Sequence, residues 1–219
     1  MKFTLVLLAF ILIIAPEVSA YSLSITDIDQ PYEIVTIEGS LEEGESFLGE
    51  LNSFPVMYEV IAEENIDLDV QIRQRYNNSD EPYGFSLILI RQNERDSGVT
   101  EVSRLRPKPD DWTVAKDSAA GMTFWESDLL SQTIEPGVYR IEISTSDNTG
   151  QYMLTFGNQE RNSGYFQTIR DAHTTQKFFD YSFFRILTSS YVYYTLGILL
   201  LLVAIYRTWK YRNSIVHAG

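Results

Sequence analysis

This sequence predicts an all-β domain, an antiparallel β-sandwich, carried on one C-terminal transmembrane helix. Three observations lead there. Between Tyr21 and Gly157 the apolar residues recur mainly with period two, in short runs broken by turn residues every 8–12 positions or so. No helical periodicity of useful length occurs before residue 160. Near the end, Ile186 to Tyr206 contains no charged residue, and at ~1.5 Å per residue this run crosses a ~30 Å hydrocarbon core.

In chain order, Met1-Lys2 is a short positive segment, Phe3 to Ala15 is uncharged and apolar, and Pro16 comes next. Val18 and Ala20 stand where signal peptidase reads small residues, so residues 1–20 are expected to be a signal peptide cut after Ala20. The sandwich is assigned to 21–158. "YSLSITDIDQPYEIVTIEG" reads as an extended arm ending in a strand at Ile34-Val35. "ESFLGELNSFPVMYEVIAE" reads as two strands divided at Asn52-Ser53. In "NIDLDVQIRQ" the residues Ile66, Leu68, Val70 and Ile72 alternate with Asp67, Asp69, Gln71 and Arg73, a half-buried strand with a wet acidic face. The turn-rich "RYNNSDEPYG" holds Asn77-Asn78-Ser79, an N-glycosylation acceptor pattern at Asn77. "FSLILIRQ" is apolar enough for a central strand. A polar connection with one short strand comes after it, carrying the basic cluster Arg104, Arg106 and Lys108. Apolar stretches around Val114 and Phe124-Trp125 come next.

The closing segment "EPGVYRIEISTSDNTGQYMLTFG" reads as a hairpin. Tyr139, Ile141 and Ile143 share one face, Tyr152, Leu154 and Phe156 carry it back, and Gly150 tolerates positive φ at the reversal. This segment resembles the end of prepeptidase C-terminal-type β-sandwiches, modules of secreted and surface proteins of bacteria and archaea. The resemblance spans about twenty residues and implies a jelly-roll-like fold that binds, stabilises or attaches rather than catalyses. The architecture of signal, sandwich, single span and short tail is also similar to GOLD-domain cargo receptors. This chain departs from them in having no cysteine pair, no long coiled coil and no terminal dilysine or diphenylalanine.

Residues 159–185 form the membrane-proximal connector. Phe166, Ile169 and Ala172-His173, then Phe179, Phe183 and Ile186, recur at helical spacing, so an amphipathic helical segment is expected at the outer leaflet. The transmembrane helix is assigned to 186–206 and the tail to 207–219. Tyr191, Tyr193 and Tyr194 lie at its front interface and Tyr206, Trp209 and Tyr211 at its back. Arg207, Lys210 and Arg212 lie at the back as well, with no acid after them. Positive charge resists translocation, so the expected topology is a single pass in the cell membrane, sandwich outside and C-terminus in the cytoplasm. The basic tail argues against a cleaved lipid-anchor signal.

The net charge is −13, and from Tyr21 to Ile72 there are 13 acids and no Lys or Arg. Phosphate backbones would be repelled, so nucleic acid is not an expected partner. Divalent-cation binding by this acidic third is the functional alternative to a solvated surface. The chain has no cysteine, which excludes thiol catalysis and cysteine metal sites and leans toward a bacterial or archaeal surface. Of two histidines, His217 falls in the tail and His173 stands in the connector. No catalytic or metal-ligand motif is present, so no catalytic residue, metal or cofactor is assigned. The reading is a membrane-anchored, non-enzymatic binding module whose partner is another surface or membrane protein or a glycan. The alternatives are an accessory subunit docking through its span and connector aromatics, a GOLD-like cargo receptor, and, last, a carboxylate enzyme acting on glycans.

Overall fold

The structure is a computed structural model that describes residues 22–28, 30–37, 44–78, 81–93, 98–157 and 164–216. The expected signal peptide, Ser79 of the glycosylation pattern and the last three tail residues lie outside them. The chain divides into two compact units. One comprises residues up to Lys116 together with Thr123–Gly164; the other comprises Asp117–Met122 and the residues from Tyr165 onward.

The first unit is a β-sandwich. Its strands among the described residues are β1 (Ser22–Thr26), β2 (Ile34–Thr36), β3 (Glu45–Asn52), β4 (Val56–Ala62), β5 (Ile66–Arg75), β6 (Ser86–Gln92), β7 (Val99–Leu105), β8 (Thr113–Asp117), β9 (Met122–Glu126), β10 (Leu130–Ile134), β11 (Gly137–Ser144) and β12 (Thr149–Phe156). One sheet runs β1-β3-β12-β5-β9-β8, with β10 also beside β5; the other runs β2-β4-β11-β6-β7. Both sheets are mixed. The inner strands β3, β12, β4 and β11 pair antiparallel with their inner neighbours, whereas β1 joins β3 and β2 joins β4 in parallel. The expected antiparallel sandwich therefore carries a parallel strand on one edge of each sheet. The segment expected to be an arm with one strand supplies both, because Ile34 and Val35 pair with Met57 and Tyr58 while Leu23 and Ile25 pair with Ser46 and Leu48.

The period-two residues fill the space between the sheets. Leu68, Val70 and Ile72 of β5, Ile141 and Ile143 of β11, and Leu154 and Phe156 of β12 are fully buried. Burying each such side chain contributes on the order of 2 kcal/mol, which is how a chain without disulfides holds this domain. Phe47, Tyr58 and Phe156 meet as a ring cluster, Phe47 and Phe156 edge to face at 5.7 Å. Two core hydroxyls are satisfied internally: Tyr58 Oη donates to Thr26 Oγ1 at 3.0 Å and lies 3.0 Å from Tyr152 Oη. The proton of Tyr58 being committed, Tyr152 is the donor of that second bond. Burial pushes Tyr58 up to about 12, and burial with the neighbouring Tyr58 pushes Tyr152 well above the usual phenol range.

Three expectations need correction. The closing segment is not a hairpin. β11 pairs with β4 and β6 in one sheet, while β12 pairs with β3 and β5 in the other. The four residues between them cross from sheet to sheet, with Asn148 at φ 51° and Gly150 at φ 118°. Both alternations face one core, which a hairpin and an arch satisfy equally; pairing partners far away in sequence decide for the arch. Second, Asp69 is not on a wet face. It is 8% exposed, because β5 is flanked at that level by β10 on one edge and β12 on the other, whereas Asp67 nearer the strand end accepts from Thr133 Oγ1 at 2.7 Å. Third, β10 is a strand where none was expected. β9 and β10 both pair with β5, and between them Ser127 Oγ accepts from Ile72 N–H at 3.1 Å, bridging the break.

Candidate interaction site at the membrane-proximal unit

The second unit contains α1 (Tyr165–Phe178), a 3-10 segment (Phe183–Thr188), α2 (Ser190–Val216) and the loop residues Asp117–Met122. Gly164 precedes α1, and the turn after the helix is fixed by Asp180 at φ 58°. The expected segment is thus a helix of 14 residues. Thr168, Ala172, Thr175 and Gln176 are buried, as is Phe179 just beyond them, while Phe166 is 83% exposed. The aromatic residues do recur at helical spacing, but small and polar residues supply the packing face. Thr175 suits that role because its hydroxyl donates back to Asp171 O at 2.9 Å.

The start of α2 is held by the loop. Four successive carbonyls accept bonds from the connector: Ser118 O from Ser190 N (2.9 Å), Ala119 O from Ser189 Oγ (2.6 Å), Ala120 O from Gln176 Nε2 (2.6 Å) and Gly121 O from the Thr188 hydroxyl (2.9 Å). Gly121 has φ 65°, and a Cβ there would lie 2.6 Å from Ser189 N, so the position requires glycine on both conformation and space. Sequence reasoning marks only the apolar stretches around Val114 and Phe124-Trp125 here; the run of small residues between them, "DSAAGM", was the available signal. The Ser189 carbonyl accepts from Tyr193 N–H at 2.8 Å and opens the helix, so α2 begins at Ser190, four residues after the first residue of the expected span.

From Ser190 to Tyr211 this helix is 22 residues long and apolar enough to cross a membrane, and none of its apolar stretch is buried within the chain. At ~1.5 Å per residue it reaches ~33 Å, which matches a hydrocarbon core. The residues singled out from the sequence fall on it in two groups. Tyr191, Tyr193 and Tyr194 occupy its first turn; Tyr193 and Tyr194 are 65% and 66% exposed and meet at 5.5 Å, while Tyr191 packs on Tyr165 at 6.1 Å. Tyr206, Trp209 and Tyr211 lie about three turns or more further on and are all exposed. Arg207 and Lys210 are exposed beside them, and Arg212 lies on the same helix. Tyr165 Oη reaches Tyr191 O at 3.0 Å and Thr195 Oγ1 at 2.5 Å, so α1 is bonded to the first turns of α2. Phe183, Phe184 and Leu187 of the 3-10 segment stand in solvent together. These exposed rings thus lie beside the apolar helix.

The other sequence candidates lie in the sandwich. Asn77 is exposed, at the end of β5. In the basic cluster Arg104 is paired with Glu101 at 2.7 Å, and its guanidinium holds the Glu101 carboxyl below the ordinary carboxylate range. Among the described residues no three His, Asp or Glu side chains come together as a metal-binding group.

Solved structures similar to this chain include the pre-peptidase C-terminal domain of a collagenase from Bacillus anthracis, at 12% identity and a TM-score of 0.37, covering 59% of this chain and 98% of that one. They also include PliG of Aeromonas hydrophila, a periplasmic lysozyme inhibitor of g-type lysozyme, at 12% identity and a TM-score of 0.31, covering 63% of this chain and all of that one. The family that the closing strands resemble is thus among them. No family model matches the chain, and no curated protein matches it.

Proposed function

We propose that this chain is a single-pass membrane protein whose β-sandwich works outside the cytoplasm as a non-enzymatic binding module. One observation carries the reading: an apolar helix of spanning length, none of whose apolar stretch is buried among the described residues, with rings at both ends and cations at one. Such a surface costs little in lipid and a great deal in water. The cations Arg207, Lys210 and Arg212 favour the cytoplasmic side for the C-terminus, and residues 1–20 as a cleaved signal would deliver the sandwich across. Partners would be a surface or membrane protein, or a glycan.

The test is protease added to intact cells together with carbonate washing of membranes. The reading requires that the sandwich be digested from outside, that a fragment containing α2 remain with the membrane, and that carbonate leave the full chain in the pellet. Release by carbonate removes the anchor; a protected sandwich reverses the orientation.

A further inference from the structure

The second unit contains a cleft of about 310 Å³, between the C-terminal half of α1 and the start of the 3-10 segment, lined by His173, Gln176, Lys177, Tyr181, Ser182 and Phe183. Three features mark it. The Lys177 side chain is exposed and forms no ion pair among the described residues, and the Ser182 hydroxyl caps nothing although its residue starts the 3-10 segment. Gln176 is 1% exposed, and its Nε2 donates to Ala120 O at 2.6 Å and Arg185 O at 3.3 Å. Two carbonyls on the nitrogen fix the amide orientation, so Oε1 is the atom left over, and it is buried without a hydrogen-bond partner among the described residues. An orphaned buried acceptor is destabilising until a donor reaches it. Third, one wall is aromatic: His173 and Phe183 pack edge to face at 5.3 Å, and the Tyr181 ring lies beneath the Arg185 guanidinium at 5.0 Å.

We propose that this cleft holds the headgroup of a glycerophospholipid that bears its own hydrogen-bond donor, of the phosphoethanolamine or phosphoglycerol class. The phosphate meets the Lys177 ammonium and the Ser182 hydroxyl, and the terminal ammonium or hydroxyl of the headgroup donates to Gln176 Oε1, which is sealed from solvent in the empty cleft and is reached when the cleft wall yields. A choline headgroup offers no N–H or O–H and leaves that oxygen orphaned. The 3-10 segment that forms one wall leads into α2, so a molecule seated there has bilayer within reach for its acyl chains, and the exposed Phe183, Phe184 and Leu187 flank that path. This inference rests on the reading that Ser190–Tyr211 lies in a bilayer.

The experiment is native mass spectrometry of the full-length protein in mild detergent, titrated separately with phosphatidylethanolamine, phosphatidylglycerol, phosphatidylcholine and water-soluble glycerophosphoethanolamine. Charge-assisted hydrogen bonds are worth about tenfold or more in affinity. The ethanolamine lipid should therefore be retained at least ~tenfold more strongly than the choline lipid, and the glycerol lipid, whose donor is a neutral hydroxyl, about fivefold more strongly. Lys177→Ala and Ser182→Ala, both at exposed positions, should each lower retention of all three lipids about five- to tenfold, since all three carry the phosphate, and leave their order of preference unchanged. Equal retention of the choline lipid, or indifference to both substitutions, overturns the proposal. Glycerophosphoethanolamine bound as tightly as the lipid overturns the lipid source and assigns the cleft to a soluble phosphoester. Failure of the anchor itself is read separately, as release of the chain by carbonate.

Discussion

Gly49 faces Tyr152 directly across the β3–β12 ladder, and the substitution Gly49→Ala tests how tightly the core is fixed. A Cβ at Gly49 would stand 2.5 Å from both Cζ and Oη of Tyr152 and 3.0 Å from Cε2. The ring has nowhere to retreat. It is fully buried, its hydroxyl bonds Tyr58 Oη at 3.0 Å, and its face is met by Phe85 at 5.6 Å. Overpacking of this kind costs about 1–3 kcal/mol. Breaking the hydroxyl pair adds ~1 kcal/mol. Replacing a strand glycine returns about 0.5–1 kcal/mol of chain entropy. The net expectation is a loss of about 1–3.5 kcal/mol. Urea unfolding of the full-length protein in detergent, monitored by tryptophan fluorescence, should show the midpoint lowered with an unchanged slope. The clash also predicts strong coupling. In a Tyr152→Leu background, Gly49→Ala should cost at least ~1 kcal/mol less than in the parent chain. A Gly49→Ala protein as stable as the parent, or additive losses in the double variant, would refute the reasoning.

The tyrosine pair makes the sandwich sensitive to alkali. Below about pH 10 folded and unfolded chains both keep these protons; above it the unfolded state releases them first, so stability falls as pH rises from about 10 through the raised folded value of about 12 for Tyr58, by about 3 kcal/mol for that group. Urea midpoints across that range should show the fall, and Tyr58→Phe should flatten it; an unchanged slope contradicts the pairing. Arg73 and Glu126 sit opposite each other on β5 and β9 at 2.7 Å, each about one-fifth exposed. Glu126→Ala should cost about 2 kcal/mol and Arg73→Ala in that background little more, which a double-mutant cycle measures. Gly121→Ala should break the row of carbonyl bonds at the start of α2. Exchange of the Ser190 amide, bonded to Ser118 O at 2.9 Å, should then accelerate by roughly tenfold or more, and unchanged protection would show the loop to be dispensable.

Period-two alternation located the inner strands well, because burial between two sheets writes the same pattern wherever a strand sits. It could not say which sheet a strand joins. Tyr139, Ile141 and Ile143 would look identical in a hairpin, and only the distant partners Glu45–Asn52 draw β12 away from β11. The parallel edge strands were illegible for the same reason, their order resting on pairings with β3 and β4 rather than on local turns. The apolar helix was legible from composition, but its first residue was not. Ile186 is as apolar as the residues of the helix itself, and the boundary moves to Ser190 because Thr188, Ser189 and Ser190 bond to a loop about seventy residues earlier. The cleft under α1 had almost no signature, since its distinguishing group is a glutamine whose amide nitrogen is occupied by backbone carbonyls.

The seat of β12 governs the order in which this domain can assemble. It is the last strand of the sandwich in the chain, yet it lies between β3 and β5, bonding residues as far apart as Ser46 and Thr155. During synthesis two neighbouring strands must wait, with unmatched edges, until a segment about a hundred residues younger arrives to zip them. Such late closure is slow and exposes sticky borders to other chains. A nascent molecule of this kind depends on being shielded until its final strand has emerged, and truncation before Thr149 leaves a gap in the middle of the sheet instead of a shortened end.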